Sequence, residues 1–123
     1  MNNSKEYIQD LLNPYVQNYF TYDENGFITW RLGTGKNVEL LYLYVEVPRK
    51  GTGTKLLKEM LSMLKENPPY STVFGFTRTS NAPAIAFYEK MGFSLSRVEG
   101  VYADGEAMVF SAKYEDLKRI HNV

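Results

Sequence analysis

The chain has 123 residues, no net charge because 14 Lys and Arg balance 14 Asp and Glu, and 44% hydrophobic side chains. That length suits one domain with enough apolar material for a core, and the missing basic excess argues against a nucleic-acid partner. Cysteine is absent and His121 is the single histidine, which excludes disulfides, thiolate metal sites and a cysteine nucleophile and disfavours a histidine triad or metal cluster.

Chemistry is left to carboxylates, backbone and an aromatic fraction of 15% that includes ten tyrosines. The opening Met1-Asn2-Asn3-Ser4-Lys5-Glu6 lacks the apolar core of a signal peptide, and no run reaches the ~18 apolar residues of a membrane span. A cytoplasmic chain with no membrane partner is expected, in keeping with the zero cysteine count.

Tyr7, Ile8, Leu11, Leu12, Tyr15, Val16, Tyr19 and Phe20 make one helical stripe over residues 5–20. Ser4 can cap it. Pro14 breaks or kinks it, giving one bent helix or two short ones. Residues 26–32 read as a strand with Trp30 inward. Gly33-Thr34-Gly35-Lys36 is turn chemistry, and residues 38–47 form the second arm of an antiparallel hairpin that Pro48 ends. The strongest helix starts at Gly51 and carries Leu56, Leu57, Met60, Leu61 and Leu64 on one face until Asn67-Pro68-Pro69 stops it. Residues 72–79 read as a strand and 81–91 as a helix, with Pro83 in its first turn and Gly92 at its end. Residues 94–102 and 106–114 are strands joined through Asp104-Gly105, and 115–121 is a short closing helix. The order α-β-β-α-β-α-β-β-α is that of a mixed α+β fold, expected as a single domain over 1–123 that opens with a helical segment, 1–25.

Between a strand and a helix stands Pro48-Arg49-Lys50-Gly51-Thr52-Gly53-Thr54-Lys55. The first N–H groups of a helix have no internal partner and lie at the positive end of its dipole. Glycine lets an anion approach that backbone closely, and Arg49, Lys50 and Lys55 add charge. A P-loop spaces its glycines more widely, and the dinucleotide fingerprint needs a third glycine where this chain has Leu56. The plain alternative is that the glycines merely start a helix after a tight turn.

Asn81-Ala82-Pro83-Ala84-Ile85-Ala86-Phe87-Tyr88 sets Asn81 and Tyr88 about two turns apart on roughly one helix face. Taken alone, Asn81 reads equally as an N-cap, Tyr88 as a core residue beside Ala84, Ile85 and Met91, and Gly92 as a helix stop. Taken with the glycine loop, with Leu43-Tyr44-Val45-Glu46-Val47 before it and with Gly100–Met108 after it, the pattern resembles the GCN5-related N-acetyltransferase (GNAT) family over roughly residues 26–114.

That resemblance implies a mostly antiparallel sheet flanked by helices and a cofactor-binding core over 26–114. It implies acetyl-coenzyme A as co-substrate, no metal, and an amine acceptor of unassigned identity. It places the pyrophosphate on Arg49, Lys50, Gly51, Thr52, Gly53 and Thr54, and the pantetheine arm on the backbone of Val45 and Val47 and on Asn81. It makes Tyr88 the donor to the departing sulfur. It matches Glu39 to the family's base, with Glu46 as second choice on the opposite strand face; both also read as solvated strand carboxylates.

The pattern departs from the family at Pro48, where Gln or Arg is usual, in a shorter loop, and in the lack of an obvious first strand and second N-terminal helix. The acceptor side is then unusual or completed by a second copy of the chain, a homodimer. An amine with a lysine-like pKa of ~10.4 costs on the order of 4–5 kcal/mol to deprotonate at neutral pH, so a carboxylate base is needed. Without cysteine or a catalytic histidine, transfer is expected directly from donor to amine within a ternary complex. Two other readings stand beside this one: a non-catalytic acyl-coenzyme A sensor or interaction module of the same fold, and an unrelated α+β interaction domain that presents its tyrosines.

Overall fold

The structure, a computed structural model, describes residues 18–65, 70–103 and 105–123. In chain order these form β1 (Tyr19–Asp23), β2 (Gly26–Leu32), a single 3-10 turn (Thr34–Lys36), β3 (Asn37–Val45) and α1 (Thr52–Leu64). There follow β4 (Thr72–Arg78), α2 (Ala82–Met91), β5 (Ser94–Tyr102), β6 (Gly105–Lys113) and α3 (Tyr114–His121). The six strands make one sheet in the order β1-β2-β3-β4-β6-β5. Every pairing is antiparallel except β3 with β4. The fold is therefore mixed α+β, in the element order that the sequence pattern implies from residue 26 onward. No described helix is long and apolar enough to cross a membrane.

Local chemistry explains most boundaries. On α1 the residues Leu56, Leu57, Met60, Leu61 and Leu64 are all buried, the face that a 3.6-residue period places together. The helix α2 begins at Asn81, whose Oδ1 accepts a hydrogen bond from the Ala84 N–H at 3.3 Å, and ends at Gly92 with φ 106°. The buried α1 residues, with Ile28, Trp30, Val38 and Leu40 of the hairpin, Val73 of β4, Phe110 of β6 and Leu117 of α3, make one hydrophobic cluster. At ~1.5–3 kcal/mol per buried large apolar side chain, this cluster is the main term holding the sheet to its helices.

Two expectations are corrected. The helical stripe over 5–20, with the Ser4 cap and the Pro14 break, lies outside the described residues as far as residue 17. At its end, and within the expected helical segment 1–25, Tyr19–Asp23 is a strand instead. Aromatic and β-branched residues suit a half-buried pleated surface, and the pairing with β2 decides the matter: Tyr19 lies opposite Trp30 and stacks on it, centroids 6.3 Å apart. A first strand is thus present. His121, read from sequence as a surface residue, is buried, with its Nε2 2.8 Å from the Met91 carbonyl oxygen. The amphipathic α3 turns it onto the end of α2.

The feature that opens a site is in β3. Trp30 pairs with Leu40 and Thr29 with Tyr42, so Leu41 is an extra residue, a β-bulge. A bulge bends its strand and increases the local twist. Pairing of β3 with β4 runs only from Asn37 opposite Thr72 to Glu39 opposite Phe74. Past that point the two parallel strands part, and the gap lies beneath the glycine loop and the start of α2.

Candidate active site

The glycine loop is built by backbone hand. Arg49 and Gly51 have φ of 67° and 72°, with Lys50 between them at negative φ. Alternation of this kind directs successive N–H groups into a concavity suited to an anion. The N-cap of α1 is Gly51, and no side chain caps the helix, so its first-turn amides are available to a ligand. Gly51 is required by its φ, since nothing would meet a Cβ there within 4 Å. Gly53 is required by proximity, because its Cβ would stand 3.0 Å from Cε1 of Phe87. The two glycines therefore serve different ends.

Two cavities flank the gap between β3 and β4. One, about 540 Å³, runs along Val45, Arg49, Gly51, Thr52, Gly53 and Thr54. The other, about 450 Å³, is lined by Glu39, Tyr42, Arg78 and Tyr102 among others. Leu43, Asn81, Ala84 and Tyr88 line both. The expected cofactor side and the expected acceptor side thus meet at Asn81 and Tyr88.

Tyr88 is 7% exposed and is wedged among Phe87, Phe93 and Phe110. Burial, and secondarily Tyr102, push its phenol pKa well above the ordinary tyrosine value. The phenol therefore keeps its proton and serves as a hydrogen-bond donor at any physiological pH. Asn81 uses Oδ1 for its capping role, and its Nδ2 makes no hydrogen bond within the described residues. Cap and ligand donor are compatible roles of one carboxamide.

Glu39 is held by Arg31, whose Nη2 and Nε lie 2.8 and 3.0 Å from Oε1. Its Oε2 has no partner among the described residues. Glu46 is exposed and lines neither cavity, which separates the two candidates for a base. Val45 and Val47 also separate. The Glu46 N–H donates back to Asn25 O at 2.7 Å, so the Val45 backbone groups point to the other edge of the strand, toward the gap.

The expectation that Val47 offers its backbone to a ligand is corrected. Its N–H donates to Asn25 Oδ1 at 2.9 Å and its carbonyl accepts from Asn25 Nδ2 at 2.8 Å. Lys50 is exposed and outside the cavity lining. Lys55 is paired with Asp23 at 3.3 Å. The Asp23 carboxyl is held below the usual range by the Asn25 N–H first and by Lys55 after it. Arg49 is therefore the cation that lines the loop side of the cavity, together with Lys90 from α2.

The sequence pattern does not single out Asn25 or Arg78, and it gives Leu43 and Tyr102 no role of their own. Asn25-Gly26 is a recognisable turn pair, but nothing local tells where its carboxamide reaches. Arg78 and Tyr102 come from different strands and meet only in the fold, with the guanidinium carbon 4.3 Å from the ring centroid. Among the described residues no group of three or more His, Cys, Asp or Glu is arranged to hold a metal ion.

The chain is similar in sequence and in fold to known proteins. An N-alpha-acetyltransferase of Saccharolobus solfataricus is 39% identical over 69 residues, 55% of this chain and 41% of that protein. The crystal structure of Ard1 from Thermoplasma volcanium superposes with a TM-score of 0.65 at 28% identity, covering 72% of this chain and 62% of the other. Arabidopsis thaliana Naa50 in complex with the bisubstrate analogue CoA-Ac-MVNAL gives a TM-score of 0.60 at 26% identity, covering 72% and 64%. The chain thus spans well under two thirds of the curated relative it matches. Residues 5–93 match the Acetyltransferase (GNAT) family, and the chain, with its parted strands, glycine loop and buried tyrosine, belongs to that family.

Proposed function

We propose that this chain is an acetyl-coenzyme A-dependent N-acetyltransferase that acts on a primary amine, the α-amine at a peptide N-terminus, by direct transfer in a ternary complex. The observation that carries the reading is the junction of two cavities at Asn81 and Tyr88. The acceptor class is supported by the N-alpha-acetyltransferase relative and by the analogue carried by Naa50.

The residues present fit the cofactor: a concave run of amides with alternating φ for the pyrophosphate, a strand edge at Val45 for the pantetheine arm, and a tight α1–α2 contact at Gly53 and Phe87. When bound, acetyl-coenzyme A supplies an activated acetyl thioester. The loop amides of Gly51, Thr52, Gly53 and Thr54, with Arg49, hold the pyrophosphate. Val45 and the Nδ2 of Asn81 orient the arm. Glu39 Oε2 takes the proton of the acceptor ammonium, directly or through water.

Tyr88 keeps its proton at Oη and would hydrogen-bond the sulfur as the C–S bond breaks and the N–C bond forms; the second proton shed by the acylated nitrogen goes to solvent, and the released thiolate takes its proton from solvent. The raised pKa of Tyr88 makes it a better holder of its proton than a donor of it, since a thiol with pKa near ~8.5 is the stronger acid. The residues available support direct transfer. No cysteine exists to form an acetyl-enzyme, and His121 is turned away onto Met91.

The test is an acceptor panel with acetyl-coenzyme A: peptides with free and with blocked N-termini, a lysine side-chain amine and a small polyamine. Released thiol and product mass are read together. Acetylation of the free N-termini alone is the expected result. Coenzyme A binding with no transfer to any amine would replace this reading with the sensor reading.

A further inference from the structure

Asn25 lies in the β1–β2 turn, distant in sequence from the glycine loop, yet each of its polar atoms is engaged. Its N–H donates to Asp23 Oδ1 at 2.7 Å, and its carbonyl oxygen accepts from the Glu46 N–H at 2.7 Å. Its side chain does three further things. Oδ1 accepts from the Val47 N–H at 2.9 Å. Nδ2 donates to the Val47 carbonyl oxygen at 2.8 Å and to Thr52 Oγ1 at 2.8 Å. Val47 is the last residue before the loop and Thr52 the first of α1, so one carboxamide ties the two ends of Pro48-Arg49-Lys50-Gly51 together.

The loop needs such a tie. Among the described residues no backbone hydrogen bond runs within it, and the first bond at its end is the helical one from the Lys55 N–H to Gly51 O. It holds a non-glycine residue, Arg49, at φ 67°, a conformation that an L residue keeps only when its surroundings enforce it. A carboxamide is suited to the role because Val47 presents both a donor and an acceptor, which an amide matches with one of each, as a neighbouring strand would. Aspartate lacks the donor and would set a negative charge against the Val47 carbonyl oxygen. The second link from the turn, Asp23 with Lys55 of the first turn of α1, acts in the same direction.

We infer that Asn25 is the positioning residue of the pyrophosphate-binding loop: it sets the amide concavity that the cofactor's diphosphate meets, without touching the reacting atoms. This rests on the cofactor reading above. The coupling predicts that loss of the carboxamide is read as weaker cofactor binding and not as slower chemistry.

The experiment compares wild type, Asn25→Ala, Asn25→Asp and Thr52→Val by calorimetric titration with coenzyme A and by initial rates against acetyl-coenzyme A. Asn25→Ala and Asn25→Asp are expected to raise Kd and KM about tenfold or more, as small misplacements of a binding group do. At saturating acetyl-coenzyme A, kcat should stay within about twofold, because Glu39, Asn81 and Tyr88 are undisturbed. Thr52→Val removes one bond at constant shape and should give a smaller rise of the same kind. If the Asn25 variants do not fold, a rise of KM at unchanged kcat in Thr52→Val decides the matter. Variants that bind coenzyme A as tightly as wild type, or that lose kcat with Kd unchanged, would overturn the inference alone. A wild-type chain that does not bind coenzyme A would overturn the cofactor reading, and this inference with it.

Discussion

Tyr88 and Phe110 lie face to face, their ring centroids 3.8 Å apart and their planes inclined by 11°. One ring comes from α2 and the other from β6, so the stack joins the helix that carries the phenol to an interior strand of the sheet. Phe93 closes the cluster edge-on to both. Such contacts contribute ~0.5–1.5 kcal/mol each beyond area burial, and here they also fix the direction of the hydroxyl. Tyr88→Phe keeps the stack and removes only the donor. Turnover should fall on the order of 10²-fold, as when a hydrogen-bond donor to developing negative charge is lost, with coenzyme A affinity within about threefold of wild type. Phe110→Ala should instead cost about 3–5 kcal/mol of stability through the cavity it leaves. Urea unfolding and steady-state kinetics separate the two effects. Unchanged kcat in Tyr88→Phe would remove Tyr88 from the mechanism.

The burial that raises the Tyr88 pKa makes folding sensitive to alkali. A neutral phenol is favoured in the folded chain, and the unfolded chain ionises first. The contribution of Tyr88 to stability is therefore complete below the free tyrosine pKa of ~10 and is lost as pH rises beyond it. Tyr70 and Tyr114 are shifted the same way by burial, so the Tyr88 share is the difference between wild type and Tyr88→Phe. The urea midpoint of wild type should fall more steeply between about pH 9 and 11 than that of the variant. In wild type, the near-ultraviolet absorbance of one slowly titrating tyrosinate should appear only as the protein unfolds.

Glu39 and Glu46 lie on one stretch of chain, but only Glu39 lines a cavity with Tyr88. Glu39→Gln should lower kcat/KM at neutral pH by about 10²-fold. The deficit should shrink as pH rises past the ~7.7–8.0 of a free α-amine, where the acceptor no longer needs a base. Glu46→Gln should stay within about twofold at every pH. Equal losses in both variants, or a deficit that does not depend on pH, would exclude Glu39 as the base.

Gly51 and Gly53 should fail differently when replaced by alanine. At Gly51 the new Cβ meets nothing, but φ 72° must be held by an L residue, at a cost of roughly 1–2 kcal/mol. At Gly53 the backbone is helical and the new Cβ presses on the edge of the Phe87 ring at 3.0 Å. Gly53→Ala should weaken coenzyme A binding, and a second change, Phe87→Leu, should recover part of the loss. Phe87→Leu should do nothing for Gly51→Ala. A double-mutant cycle on binding affinity measures both couplings.

Much of this protein is visible in local chemistry. The buried face of α1, from Leu56 to Leu64, is the face its period places together. The bounds of β2 and β5 and the cap of α2 at Asn81 come from turn residues and N-cap preference, all interactions within a few residues. The glycine loop and the Asn81–Tyr88 spacing are legible for the same reason, since a helix start and two turns of helix are short-range objects. The single histidine and the absent cysteine restrict the chemistry before any fold is considered.

The rest depends on contacts between distant parts of the chain. Tyr19 and Phe20 continue a helical pattern, yet they pair as a strand, because the exposed edge of β2 and the Trp30 ring stabilise that state more than the local period does. The bulge at Leu41 is set by the register between β2 and β3, and it parts β3 from β4. His121 is drawn inward by the end of α2. The placement of Glu39 in a cavity and Glu46 in solvent, and the tying of Val47 and Thr52 by Asn25, are consequences of pairing and packing at long range. Short-range propensity set which groups are available to this protein; the assembled sheet, by bending one strand and closing one loop, decided which of them face each other.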